Sequence, residues 1–426
     1  MNLPELPPFL WGAATSSHQV EGDNSANDWW AWEKAGRLKT PSGAACDQYR
    51  CFPQDIELIA GLGHNAHRFS LEWSRFEPRE NEWNEEAFGH YEAVFKELRA
   101  RGIEPVVTLH HFTNPQWFNE SGGWLRPQAV DYFVRYTEKV VKAFSRYVRF
   151  WITVNEPLIF LYFGFYEGTW PPGRNSFSES LVVFRHLLLA HQEAYHTIHG
   201  HYQSLGRPVW VSIAHHMTHF TPCRPGSPLD GMSVSLRNGF VNHLFFRAAL
   251  TGFLFFPGLF CESLPRQRTL DFLGVNYYTR DFIRFAGFRD GKMLGLACEK
   301  SHHSKEVSEL NVMGWEVYPE GFYRVLKSLE RYRLPVMVTE NGICAKDDEQ
   351  RARFIQDHVA ALARAKQEGV PVFGYFYWSL LDNFEWAHGF EPRFGIVEVD
   401  YRTQQRKIRE SAQVLRESCR KLMGGG

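Results

Sequence analysis

The chain has 426 residues, with 47 Lys and Arg against 48 Asp and Glu, a net charge of −1, and 44% hydrophobic residues. That balance excludes a basic nucleic-acid footprint, a polybasic membrane patch and a disordered chain. Length alone would allow about three domains, but an α/β barrel holds such a length as one, and no linker, repeat or low-complexity tract divides residues 1–426.

Eight short apolar runs organise the chain: 9–16, 65–73, 104–111, 150–157, 209–216, 271–278, 335–342 and 371–380. Each is rich in β-branched or aromatic residues, as buried parallel strands are. Helical patterns fall between them. Pro53 sits where a first helical turn starts, Ile56, Ile59 and Leu62 follow at helical spacing, and Gly61 and Gly63 stop the pattern. The segment 131–150 places Phe133, Tyr136, Val140, Phe144 and Tyr147 on one face. Further helices are expected over 180–198, 320–331, 348–368 and 404–422, with Gly424, Gly425 and Gly426 frayed. The segment 248–261 is too short to span a bilayer and carries Pro257, so it reads as a buried helix end plus a turn.

The runs start about 52 residues apart on average, room for a strand, a helix and their loops. Eight alternating β and α units with right-handed crossovers close most simply into a single (β/α)8 TIM barrel. The rival, an open doubly wound sheet, would want a GxGxxG turn after the first strand, and none occurs there.

The seven cysteines are odd in number, widely spaced and without a CxxC pair. They predict neither a disulfide framework nor a zinc site, but reduced thiols in a cytosol. The N-terminus shows no basic region followed by an apolar one, so no signal peptide is expected and a cytoplasmic location follows.

A barrel places its active site at the C-terminal strand ends. In order these offer Gln19, Arg68, His110 and His111, Asn155 and Glu156, His215 and His216, Asn276 and Tyr278, Glu340 and Asn341, then Trp378 with Glu385 and Trp386 close behind. Without Lys the set does not suit Schiff-base chemistry, and without clustered carboxylates it does not suit Mg²⁺. Glu156 and Glu340 stand on the fourth and seventh runs, which face each other across a ring of eight. Two carboxylates flanking one bond is what glycoside cleavage needs; the alternative is two unrelated structural ion pairs. Only one histidine of each adjacent pair can enter the barrel, and structural or substrate-bonding roles suit them better than metal ligation. His64 and His67 are expected in a helix-to-strand turn. Arg68, buried in a strand, needs a carboxylate; Glu340 is the natural candidate and Glu72 the competitor. The 14 Trp also suit a site that grips flat ligands with apolar faces, such as sugars.

Eight segments in order (FLWGAATSSHQVEG, HRFSLEWSRFEP, TLHHFTNPQW, TVNEP, FLGVNYY, GWEVYPEG, VTENG and YWSLLDNFEWAHGFEPRFGIVEVD) resemble the glycoside hydrolase family 1 β-glucosidases and β-glycosidases, from Phe9 to about Asp400. The resemblance implies a (β/α)8 barrel and a retaining double displacement on small β-glycosides or oligosaccharides, with no cofactor, no metal, no nucleic acid and no membrane. It makes Glu156 the acid/base and Glu340 the nucleophile. It gathers Gln19, His111, Asn155, Glu385 and Trp386 around the sugar, with Trp378 as a stacking floor and Trp315 as an aglycone wall. Tyr278 and Arg68 would hold the nucleophile, and Asn276 would support the site. Three positions depart from the common pattern: Phe112 where many members have Trp, His18 where Tyr is common, and Glu72 where the residue is usually small. Glu385 argues against 6-phosphosugars, whose hydrolases usually carry a neutral residue there. Retained Glu156 argues against the thioglucosidase branch. A transglycosidase, its acceptor side around Trp315 and Phe177, and a non-catalytic sugar binder remain the alternatives.

The mechanism asks for an ionised Glu340 and a protonated Glu156. Burial and the Glu340 charge are expected to raise Glu156, giving a bell-shaped profile with Glu340 on the acidic limb and Glu156 on the basic one. Retention requires carboxyl groups ~5–5.5 Å apart.

Overall fold

A computed structural model describes residues 6–288 and 292–424. Eight parallel strands form its centre: β1 Leu10–Ala14, β2 Ala66–Ser70, β3 Glu104–His110, β4 Phe150–Asn155, β5 Trp210–Pro222, β6 Leu273–Arg284, β7 Val336–Asn341 and β8 Val372–Trp378. Each pairs with its neighbour in sequence, β8 pairs with β1, and the ring is closed. Six of the eight apolar runs contain a whole strand, and the runs 209–216 and 271–278 hold the first part of β5 and β6. Gly12 is required where β1 meets β2, because a Cβ there would lie 2.0 Å from the Ala66 carbonyl oxygen.

Alternation along the strands sorts the core into two parts. Leu10, Ala14, Ala66, Val106, Phe150, Ile152, Trp210, Met337 and Phe373 pack into the lumen as a plug beneath the mouth. Trp11, Phe69, Val107, Trp151, Val211, Val338 and Tyr375 point outward to the helices. The helix Ala129–Phe144 turns Phe133, Tyr136, Val140 and Phe144 into that outer layer. The helix Asp348–Gln367 is capped by the Asp347 side chain, which accepts from the Gln350 N–H at 2.7 Å. Acidic residues in its first turn and basic ones in its last suit the helix dipole.

Several boundaries differ from those expected, each for a local reason. The helix holding Pro53 is Gln48–Gly61, so the proline lies inside it and does not open it. His67 is a β2 residue facing outward, its Nδ1 against the Ala13 carbonyl oxygen at 2.9 Å; only His64 lies in the turn. Beyond the helix end at Thr251, residues 248–261 do not form a simple turn. Phe253–Phe256 and Phe260–Ser263 pair as an antiparallel hairpin with Pro257 and Gly258 at its tip. The last helix starts at Glu410, because Val397–Val399 and Arg406–Ile408 first make a small hairpin. Gly424 belongs to that helix, whereas Gly425 and Gly426 lie outside the described residues. No helix among the described residues is long and apolar enough to cross a membrane.

The cysteine expectation is overturned. Cys223 and Cys298, 75 residues apart, form a disulfide. Strands β5 and β6 run on past the barrel rim, pairing as far as Pro222 with Ile283, and Leu296–Ala297 folds back on β6. That extension brings together two cysteines whose sequence spacing shows nothing, and it removes the cysteine argument for a reducing compartment.

Candidate active site

The barrel mouth is organised by Arg68, whose side chain is 1% exposed. Its Nη1 donates to Glu340 Oε1 at 2.6 Å and to the Thr339 carbonyl at 3.0 Å, Nη2 donates to Asn155 Oδ1 at 2.8 Å, and Nε donates to Thr108 Oγ1 at 3.2 Å. A buried guanidinium needs this degree of satisfaction. Glu72, the competitor, instead accepts from Ser17, Ser74 and Thr113. The Tyr278 hydroxyl donates to the other Glu340 oxygen at 2.6 Å, so each oxygen of this carboxylate has a donor.

Glu156 begins the chain's exit from β4. It has φ of 43°, a left-handed conformation rare outside glycine, and Pro157 follows as the first residue of a helix. Phe112 and Trp386, at φ of 70° and 50°, share this unusual backbone at the same mouth. Asn276 Nδ2 donates to Glu156 Oε1 at 2.8 Å and to Asn155 Oδ1 at 3.1 Å, while Thr339 Oγ1 donates to Asn276 Oδ1 at 2.6 Å. One chain of hydrogen bonds therefore joins Glu340, Arg68, Asn155, Asn276 and Glu156 across β7, β2, β4 and β6.

The remaining expected residues line the same opening. Ser16 fixes the Gln19 amide by donating to its oxygen at 2.6 Å, and Gln19 Nε2 donates to the Phe384 carbonyl, Asn383 and Glu385 Oε2 at 2.9, 3.0 and 3.2 Å. The His111 ring lies nearly parallel to those of Trp378 and Trp386, with ring centroids 5.9 and 6.2 Å away. Burial, then Arg68, pushes His111 well below the usual imidazole value, so it is neutral. Its Nε2 accepts from Asn155 Nδ2 at 3.2 Å, which leaves the proton on Nδ1, a buried atom with no partner among the described residues. Trp386 is backed by Trp29, His18, Phe112 and Trp170, so the two departures at positions 18 and 112 sit behind and beside it. Trp315 stands against Tyr278 at 5.7 Å and Phe394 at 6.2 Å. Phe177, expected on the same side, opens its helix and lies against Tyr166.

The Glu340 and Glu156 carboxyls repel each other and titrate as a pair, which holds one proton before it loses both. Burial raises the Glu340 carboxyl to about 7, with Arg68 and Tyr278 pulling it down and the charge on Glu156 pushing it up. Glu156 lies below its usual value: burial raises it, but His216, Asn276 and Arg68 outweigh that. Glu385 is pushed up to about 8 by burial and then by the charges of Glu340 and Glu156. The reversal at Glu156 comes from His216, whose Nδ1 lies 3.3 Å from Glu156 Oε1. Of the two histidines ending the fifth apolar run, midway along β5, alternation let only one enter, and it is His216; His215 turns outward to the Val241 carbonyl. Thr339 and Asn383 were absent from the expected site, and His216 stood there only as one of two adjacent histidines of which one could enter. Only His216 carried a signal, its place at the end of an apolar run.

Two buried glutamates at facing strand ends, within a cradle of amides, a neutral imidazole and indoles, make a sugar-cleaving site on a (β/α)8 barrel. The pattern of Glycosyl hydrolase family 1 matches residues 3–257 and 261–421, beyond the segment from which the resemblance was drawn. The chain belongs to that family. It is similar to Beta-glucosidase A of Thermotoga maritima, 33% identical over 446 residues, covering 96% of this chain and 97% of the relative. It is also similar to a beta-galactosidase of Pyrococcus woesei, at 30% over 488 residues with 96% of each covered. Among solved structures, a beta-glycosidase from Pyrococcus horikoshii superposes with a TM-score of 0.90 at 39% identity, covering 99% of this chain and 96% of the other.

Proposed function

We propose that this chain, read as one catalytic domain, is a retaining β-glycosidase of the β-glucosidase type, hydrolysing terminal β-D-glycosyl residues of small glycosides and oligosaccharides. Glu340 acts as the nucleophile at the anomeric carbon and Glu156 donates the proton to the leaving oxygen. The observation that carries this is the different setting of the two carboxylates. Both oxygens of Glu340 accept from donors that persist at every working pH, Arg68 and Tyr278. Glu156 offers only Oε1 to the protein, and Oε2 has no partner among the described residues.

In the first step Glu340 attacks, the glycosidic bond breaks, and the proton of Glu156 goes to the leaving oxygen. The product is a glycosyl ester of Glu340, which removes one negative charge from the pair. Glu156, now ionised, takes a proton from water as that water attacks the anomeric carbon and frees Glu340. His111, the Gln19 amide and Glu385 supply bonds to sugar hydroxyls, and Trp378 and Trp386 cover the apolar sugar face. Such contacts accelerate the reaction insofar as they tighten on the oxocarbenium-like transition state. The names of the relatives support glucose and galactose as the first sugars to test.

The test is a panel of aryl β-glucosides, β-galactosides and β-fucosides, with the anomer of the first-formed sugar read by NMR before mutarotation. Release of the β-anomer supports retention. Release of the α-anomer, or no turnover of any β-glycoside, overturns the reading. Running the panel with added alcohol measures how far an acceptor competes with water.

A further inference from the structure

His216 lies against the acid/base carboxyl and has no part in the mechanism just described. Its Nδ1 is 3.3 Å from Glu156 Oε1 and its Nε2 is 3.1 Å from Thr218 Oγ1. Glu156 Oε1 also receives the Asn276 amide at 2.8 Å. Both protein donors thus converge on one oxygen, and any proton the carboxyl carries is directed to Oε2, the atom left for a ligand. The hydroxyl of Thr218 can donate to Nε2 of a neutral ring or accept from a charged one, so His216 can gain and lose its proton without losing either bond.

We propose that the acid of this site is a pair, Glu156 with His216, which holds a single working proton between its two members, and that His216 is a positioning residue acting through Glu156. This rests on the assignment of Glu156 as the acid/base and adds to it.

The surroundings favour a ring that takes up the proton. From β4 it faces Glu156, from β7 Glu340, and from β6 Asp281 and the ring of Tyr278, stacked at 6.1 Å. Burial lowers His216, but Glu156, Asp281 and Glu340 outweigh it and leave the ring above its ordinary value. Asp281 has cations of its own, with Lys300 Nζ 3.8 Å away and Arg237 acting on it. On β5, His215 faces outward and is pushed down to about 4 by burial, so it does not compete.

The singly protonated pair has two arrangements. The proton sits on Glu156 with a neutral ring, or on His216 with Glu156 ionised. Only the first can protonate a leaving oxygen. The second is an extra resting place, so the pair keeps its proton to higher pH than Glu156 alone, while the reactive arrangement is a fraction of the plateau. Removing the ring should lower the alkaline limb and raise the plateau by the same factor. Well above the limb the two proteins should react at the same rate.

The experiment compares kcat/KM against pH for wild type and His216→Asn on two substrates. One is an alkyl β-glucoside, whose departure needs a proton; the other is a 2,4-dinitrophenyl β-glucoside, whose departure does not. On the alkyl glucoside the variant's alkaline limb should fall by about one pH unit, with a matching rise of about tenfold in the plateau. On the dinitrophenyl glucoside the two profiles should coincide on the alkaline side. An alkyl limb that stays in place or moves up overturns the proposal, as does an equal loss on both substrates at every pH. Ring ¹⁵N shifts of His216 followed through a pH titration test it without that variant. The His216 midpoint should fall by about one pH unit or more in Glu156→Gln, and an unmoved midpoint overturns the pair. If Glu156→Gln itself keeps the wild-type alkaline limb, the acid assignment fails; if it loses the limb while His216→Asn does not shift it, only the pair fails.

Discussion

Arg68 on β2 reaches Glu340 on β7, 272 residues along the chain, and donates to it at 2.6 Å from a position almost sealed from solvent. The same guanidinium holds Asn155, so one side chain sets the orientation of two strand ends.

Arg68→Met should therefore take a charged donor from Glu340 and from Asn155 at once, leaving Glu340 with Tyr278 and Asn155 with Asn276 as the remaining donors. We expect kcat/KM to fall by ~10²–10³-fold, the scale of losing one preorganised donor. Arg68 pulls the Glu340 carboxyl down, so its removal should carry the acidic limb of the rate profile to higher pH. An acidic limb that moves to lower pH would show that Arg68 does not govern Glu340. A urea melt separates this from simple unfolding.

The two glutamates should respond differently to truncation. Glu340→Ala stalls at the first step, and azide fills the vacancy to give an α-glycosyl azide from an activated substrate. Glu156→Ala spares glycosylation by 2,4-dinitrophenyl glycosides, accumulates the glycosyl-enzyme, and yields a β-glycosyl azide. Product anomers read by NMR decide the matter, since swapped anomers mean swapped roles.

Glu385 sits beside Gln19, where it can reach sugar hydroxyls, and two other carboxylates already crowd it. A phosphate on the sugar would bring its charge toward Glu340 and Glu156 and find in Glu385 a carboxyl that neutralises none of it. A 6-phosphoglucoside should accordingly show kcat/KM at least ~10-fold below the free glucoside, about 1.4 kcal/mol of discrimination. Equal rates for the two would remove Glu385 from specificity.

The Cys223–Cys298 disulfide closes a span of 75 residues that includes β6 up to Arg284. Cys223→Ala with Cys298→Ala should cost about 2–4 kcal/mol in urea unfolding, and the difference should vanish when the parent is measured in excess dithiothreitol. An unchanged midpoint would show that β5 and β6 are held by their strand pairing alone.

The eight strands were legible because burial on both faces forces apolar, β-branched runs whatever the rest of the chain does. Helix ends were less so. The segment 131–150 read as one helix, yet the helix stops at Phe144 because Phe150 is already inside β4. Periodicity does not register where a neighbouring strand claims the next apolar residue. At 253–263 two short apolar stretches became a hairpin, since Gly252 at φ of 70° and Gly258 at φ of 76° let the chain reverse.

The sequence by itself determined the barrel and the family, and it pointed to twelve residues for the mouth, because strand ends and motif order are properties of the chain. It also identified Glu340 as the partner of Arg68 by a simple need, that a buried guanidinium must find a carboxylate. Only the tertiary structure decided which groups compete for the site's protons. The shift at Glu156 depends on His216 at 3.3 Å, from a strand whose alternation left two candidates open. The disulfide likewise exists because β5 and β6 extend past the rim together. Proton affinity and cross-links depend on distances between residues remote in sequence, and those distances exist only once the ring has closed.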